Sequence, residues 1–173
     1  MGFDPVIPIS TVWKIDHIRN GKVVDSWFQG NALTDQGLNH MLDVTFHGGV
    51  QISPWRIALF SDDISPLASN TYALPGYTEF TAYSESQRPS YVELPAAERT
   101  LSNIANRAVF TINTAATLYG LSLVGGPTAM TKGDIDAQKL GSVLFCVSRF
   151  AEEKVLLVSD ILMVSCTISL EDV

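Results

Sequence analysis

Between positions 34 and 46 the apolar residues recur at Leu38, Met41, Leu42 and Thr45/Phe46, the i, i+3, i+4, i+7 spacing of one helical face. That period predicts a helix over residues 34–47. Thr34 is placed to cap its start, Asp35 suits the positive end of the dipole, and Gly48-Gly49 stops it after His47. Elsewhere the period is two. Residues 11–19 alternate Val12, Lys14 and Asp16 against Trp13, Ile15 and His17, as a half-buried strand does. Asn20-Gly21 then separates this run from a second one over 22–28, which predicts a hairpin. Residues 55–60 are almost continuously apolar and predict a strand covered on both faces.

Further strands are expected over 77–80, 83–91, 107–113, 117–124, 142–150 and 161–170, with Pro89 requiring an edge or a bend in the second of these. Residues 61–76 carry Asp62, Asp63, Pro66, Asn70 and Pro75, all turn formers, and read as a surface excursion. Glu152-Glu153-Lys154, between two apolar runs, reads as a hairpin tip. Helices between the strands are missing, which argues against a parallel α/β sheet. The fold class is therefore mainly β: an antiparallel β-sandwich of about eight strands with one α-helix packed against it through the Leu38–Leu42 stripe.

Pro5 and Pro8 bar a helix from residues 1–10 and predict an extended arm, laid on its own domain or on a neighbouring subunit. Residues 11–173 then form a single domain, a size at which a chain that is 46% hydrophobic can bury one core. No internal repeat is visible.

A net charge of −7 argues against nucleic acid and against anionic membranes, whose affinity for proteins rests on Lys and Arg. No apolar run approaches the ~20 residues of a membrane helix, and no secretion signal is legible at the start. Cys146 and Cys166 each lie in an apolar run, where a thiol packs as a small hydrophobe, and the composition suits a reducing compartment better than a disulfide.

Candidate chemistry is sparse. His40, Asp43 and His47 share a side of the expected helix, but no further ligand lies nearby in sequence, and solvent-facing polar residues explain them. Asp62-Asp63 and Asp134-Ile-Asp136 lack the ligand pattern of a calcium loop and read as turn acids. Residues 125–133 hold glycine, threonine and lysine, yet not in phosphate-loop order, and Pro127 removes a backbone donor. No Gly-x-Ser-x-Gly elbow occurs. No cofactor, metal or catalytic residue is expected, and the chain reads as a non-enzyme. Arg88-Pro89 beside Tyr83 and Tyr91 matches either an interface anchor or an internal brace, with Tyr77 nearby in the same aromatic stretch.

Two blocks carry a resemblance: Asn31-Ala-Leu-Thr-Asp-Gln-Gly-Leu-Asn-His-Met-Leu-Asp-Val-Thr-Phe46 and Gly76-Tyr-Thr-Glu-Phe-Thr-Ala-Tyr-Ser-Glu-Ser-Gln-Arg-Pro-Ser-Tyr91. With the run at 55–60 between them and the strands after them, the order resembles small virion proteins encoded among the head, neck and tail genes of tailed bacteriophages. The resemblance implies a structural protein of the virion, present in many copies as capsid decoration or as a head–tail collar. Its partners would be a capsid, neck or tail protein and other copies of itself, as a trimer or a larger ring. Pro5, Pro8, Tyr77, Tyr83, Arg88 and Tyr91 are then the expected interface residues. The competing expectation is a tail-fibre or carbohydrate-binding domain that uses Tyr72, Tyr77, Tyr83 and Tyr91 as sugar platforms.

Overall fold

Asn20 (φ 51°) and Gly21 (φ 73°) both take the left-handed conformation that a two-residue hairpin turn requires, and they join β1 (Ile9–Arg19) to β2 (Lys22–Gly30). The computed structural model describes residues 8–171. After β2 come β3 (Ala32–Leu33), the helix α1 (Asp35–Phe46), β4 (Trp55–Phe60), and the short strands β5 (Glu79–Phe80), β6 (Ser90–Tyr91) and β7 (Thr100–Ser102). A 3-10 turn (Ile104–Asn106) precedes β8 (Ala108–Thr111), β9 (Ala116–Gly125), β10 (Val143–Leu156) and β11 (Ile161–Leu170). All pairings are antiparallel and form two sheets. One runs β2-β1-β11, with β7 and β8 both on the far side of β11; the other runs β3-β10-β9-β4, with β5 and β6 both on β4. The sandwich expected from the sequence is present, with eleven described strands rather than eight because the aromatic stretch before residue 110 breaks into several short pieces.

Trp13 and Ile15 point inward from β1, as the alternation predicts, and meet Ile57, Leu59, Phe110, Leu121, Phe150 and Val164 between the sheets, all fully buried. The six-stranded sheet is covered on its outer face as well. There Phe60, Val124, Leu144 and Val147 lie under Tyr72 and Ala129, which come from the irregular segments 61–78 and 126–142. Double coverage is the reason that β4, β9 and β10 read as continuous apolar runs. Gly120 makes room for it, since a Cβ there would fall 2.1 Å from the Phe60 ring.

The β2 and β10 edges of the two sheets meet in a seam made by side chains. The Ser148 hydroxyl donates to the Gly30 carbonyl (2.6 Å), the Ala151 N–H donates to Gln29 Oε1 (2.9 Å), and Lys154 pairs with Asp25 (2.9 Å). The Trp27 ring stands edge-on to Phe150, and the Lys154 ammonium sits 4.4 Å from its centroid. Glu152-Glu153-Lys154 is therefore no hairpin tip. These residues lie within β10, at a bulge where its register against β9 slips between Arg149 and Lys154, and the turn falls at 157–160. Lys154 is drawn in by Asp25 and Trp27, partners that lie far away in sequence.

The helix ends are as expected. Thr34 (φ −96°, ψ 152°) accepts the Gly37 N–H on its hydroxyl at 3.0 Å, and the chain leaves the helix through Gly48 at φ 73°. The buried face is rotated from the Leu38–Leu42 stripe: Leu38 and Met41 of that stripe are half-buried, but its remaining apolar members are not. Leu42 is 50% and Phe46 82% exposed, and the face against the sheet is Gly37, His40, Met41 and Val44. This set also follows i, i+3, i+4, i+7, but it starts at a glycine, which carries no hydrophobic signal. Thr34 fixes the rotation by donating its N–H to the Phe145 carbonyl (3.1 Å) and its hydroxyl to the Leu144 carbonyl. Gly37 then rests on the β10 backbone so closely that an added Cβ would lie 2.6 Å from Phe145 Cα.

The first strand begins at Ile9, opposite Leu170, so the final residues of the expected arm are strand. Pro8 accepts the Glu171 N–H at 3.1 Å, and Pro5 lies outside the described residues. Cys146 and Cys166 are free thiols, fully buried in facing sheets, and burial pushes Cys146 up to about 12. No described helix is long and apolar enough to cross a membrane.

Replacing Gly37 by Ala forces the helix off β10, and the overpacking is expected to lower stability by ~1–3 kcal/mol in urea denaturation. An unchanged midpoint would show that the helix does not seat on this glycine.

Candidate functional site

Arg88 organises the loop-covered side of the molecule. It is 3% exposed, and its five N–H groups have five acceptors. Nε donates to Glu79 Oε1 (2.8 Å) and one Nη2 hydrogen to Glu79 Oε2 (2.6 Å), a bidentate pair. The remaining three go to the Tyr72 hydroxyl (2.5 Å) and to the carbonyls of Ala129 (3.0 Å) and Asp134 (2.8 Å). Burial disfavours the charge on Arg88, but the Glu79 carboxylate outweighs it and holds the guanidinium above its ordinary pKa. The segment after β4, β5 and the connection between β9 and β10 thus close on one cation. Nearby, the Asp136 carboxylate accepts the Leu140 and Ser142 N–H groups, each at 2.8 Å, so this acid closes a turn, as its sequence pattern suggests.

The expected interface tyrosines belong to the same framework. Tyr83 and Tyr91 are each 1% exposed and Tyr72 is 3% exposed. Tyr91 donates to the Leu101 and Cys166 carbonyls at 3.3 and 3.2 Å. The Tyr83 hydroxyl is buried without a partner, and the Lys132 ammonium lies 4.3 Å from its ring centroid. Tyr77 is half-buried, stacked on Phe60 with centroids 4.6 Å apart, and its hydroxyl meets Ser122 at 2.6 Å. Burial raises the pKa of Tyr77, Tyr83 and Tyr91. Tyr72, Tyr83, Tyr91 and Arg88 are internal braces whose faces are not open to a sugar, while Tyr77 stays half-buried; tertiary closure, invisible in a period-2 pattern, buries the others.

A second cluster lies at the β10–β11 turn. Asp160, 1% exposed, accepts Arg19 Nε at 2.9 Å and Arg19 Nη2 at 2.7 Å, meets His17 Nε2 at 2.8 Å, and accepts the Leu157 N–H at 2.8 Å. The hydrogen bond from Arg19, followed by those from Leu157 and His17, holds this carboxyl far below the usual carboxylate range despite burial. A His–Asp pair is half of a nucleophile-activating arrangement, but here the only hydrogen bond found for the His17 ring, among the described residues, is to Asp160. The cluster ties β1 to the turn. Residues 17 and 160 lie 143 positions apart, so no motif could have announced it.

On the helix, His40 turns its ring edge toward Trp55 (centroids 5.7 Å apart) while Asp43 and His47 are exposed, so the three do not converge. His40 instead stands between two concavities. One is a cleft of about 250 Å³ at the open end of the sandwich, walled by Met41, Val44, Trp55, Phe145 and Ile168 with Glu93 among them. The other is a wider groove of about 600 Å³ with Val50, Arg56, Met130 and Leu140 in its walls. They share His40, Gln51 and Ile52. Sequence periodicity missed this site because its residues come from segments scattered between positions 40 and 168. The nearest signal was the half-apolar face of α1.

No known protein-family model matches the chain, and a comparison with curated proteins finds no relative.

Two outcomes follow from the buried charges. Glu79→Gln or Arg88→Met alone is expected to lower the unfolding free energy by ~3–5 kcal/mol, with the double variant Glu79→Leu/Arg88→Met recovering part of the loss; urea titration measures both. Because the folded pKa of Asp160 is depressed, its contribution is complete above the unfolded value of about 4 and is lost as pH falls below it. Wild-type stability should therefore drop more steeply from pH 5 to pH 2 than that of Asp160→Asn. Parallel curves would remove Asp160 from the acid response.

Proposed function

We propose that this chain is a non-enzymatic structural protein of a tailed-bacteriophage virion, assembled in multiple copies as capsid decoration or as a head–tail collar. The observation that carries the reading is the surface around α1. Phe46 is 82% and Val50 86% exposed, and Leu42, Met130 and Leu140 are each 40% exposed or more on neighbouring segments. Val50, Met130 and Leu140 line one groove beside His40, and large apolar side chains left in water on a chain with net charge −7 suit a surface that is covered by another protein.

The use of the interior supports the same reading. The most polar buried groups, Arg88, Glu79 and Asp160, hold loops and a hairpin turn, so the chain invests its charged interior in rigid shape. The two blocks that carry the family resemblance supply this framework: the first forms β3 and α1, and the second contains Tyr77, Glu79, Tyr83, Arg88 and Tyr91. Rigid surface suits a component repeated on a lattice or ring, because each copy must present the same contacts. The partners under this reading are a capsid, neck or tail protein and further copies of the chain.

The test is quantitative mass spectrometry of particles purified from the virus that encodes the chain. Capsid decoration predicts copies in the hundreds per particle, and a collar predicts a ring of about 6–12. Absence from purified particles would overturn the proposal.

A further inference from the structure

We propose that the cleft between α1 and the open end of the sandwich, together with the groove beside it, receives the N-terminal segment of a second copy of this chain, with Phe3 in the cleft and Asp4 toward Arg56. The inference rests on the multi-copy reading above and says where the copies join.

The site has the right chemistry for this segment. Met41, Val44, Trp55, Phe145 and Ile168 make the apolar part of a cleft of about 250 Å³, with Glu93 also on its wall, enough for an aromatic side chain and part of its backbone. The Trp55 ring is edge-on to both His40 (5.7 Å) and Phe145 (5.6 Å), so an incoming ring meets aromatic walls. The adjoining groove contains Arg56, whose Nη1 donates to the Arg88 carbonyl at 3.0 Å. In a chain with 18 acidic and 11 basic residues, Arg56 is the charged side chain lining the groove while Glu93 lines the cleft, so the negative charge of a partner segment belongs in the groove and only its apolar side chain in the cleft.

Residues 1–7, Met-Gly-Phe-Asp-Pro-Val-Ile, have that composition: Phe3, Val6 and Ile7 are apolar, and Asp4 is the only charged side chain. The segment also starts from the right place. Ile9 pairs with Leu170 and Thr11 with Ile168, so the chain ahead of β1 leaves from the same end of the sheet as the cleft wall. Seven residues reach about 23 Å when extended. Pro8 and Pro5 disfavour the helical conformation at the residues before them, Ile7 and Asp4, which favours an extended segment with the reach to bridge two copies. Each copy then donates one segment and receives one, either by mutual exchange within a dimer or head-to-tail around a ring.

Disulfide trapping in the full-length chain tests this. Protein carrying Phe3→Cys is mixed with protein carrying Val44→Cys under mild oxidation; the native thiols are fully buried and stay out of the reaction. The expected product is a reducible dimer containing one chain of each kind, identified by mass. Absence of this heterodimer, or a bridge formed within one chain by the Phe3→Cys/Val44→Cys double variant, overturns the proposal. Independently of any cysteine, Phe3→Ala should lower the self-association constant from sedimentation equilibrium ~10-fold or more, and an unchanged constant overturns it. Both readouts use purified protein alone, so they separate a failure of this contact from a failure of the virion reading, which particle composition decides.

Discussion

A guanidinium sealed from water must find an acceptor for every N–H and a counter-charge for the whole, or the fold cannot close over it. Arg88 finds all of these at once, from Glu79, Tyr72, Ala129 and Asp134. Its acceptors come from the segment after β4, from β5 and from the long connection between β9 and β10. Those segments form the lid over the outer face of the six-stranded sheet, where Phe60, Leu144 and Val147 would otherwise meet water. Such a pair adds little net stability compared with an apolar replacement. Its effect is specificity: the loops have one arrangement that satisfies the cation and many that do not.

Covering both faces of that sheet shapes the rest of the molecule. Strands β9 and β10 can be apolar throughout because neither face needs to be polar, and α1 can sit at the end of the sheet rather than across it. The Thr34 cap, bonded to the Leu144 and Phe145 carbonyls, and the bare backbone of Gly37 decide how the helix lies. One consequence is the turning of Met41 and Val44 toward Trp55, which forms the cleft. Another is that Leu42 and Phe46 face outward into solvent.

Charge is used differently on the two sheets. The five-stranded sheet is held at its hairpin end by Asp160, gripped by Arg19 and His17, and on its outer face by Arg107, which pairs with Asp16 at 2.5 Å and donates to the Met163 carbonyl at 2.5 Å. The seam between the sheets adds Lys154 to Asp25.

Local chemistry in the sequence determined the Asn20-Gly21 hairpin, the Thr34 cap and Gly48 stop of α1, the extents of β4 and β11 and the two-layer β architecture, because turn geometry, capping and two-residue alternation depend only on near neighbours. Tertiary structure alone decided which face of α1 is buried, since the contact begins at a glycine that hydrophobic periodicity cannot register. It alone decided that Arg88 and its tyrosines are braces, because Glu79 Oε1, Ala129 O and Asp134 O become neighbours only after the loops close. It alone turned Glu152-Glu153-Lys154 from a tip into a bulge, and brought His17 to Asp160 across 143 positions. The physical reason is the same in each case: a side chain's role is set by the partners that folding brings to it, and near-neighbour patterns carry no information about partners that distant.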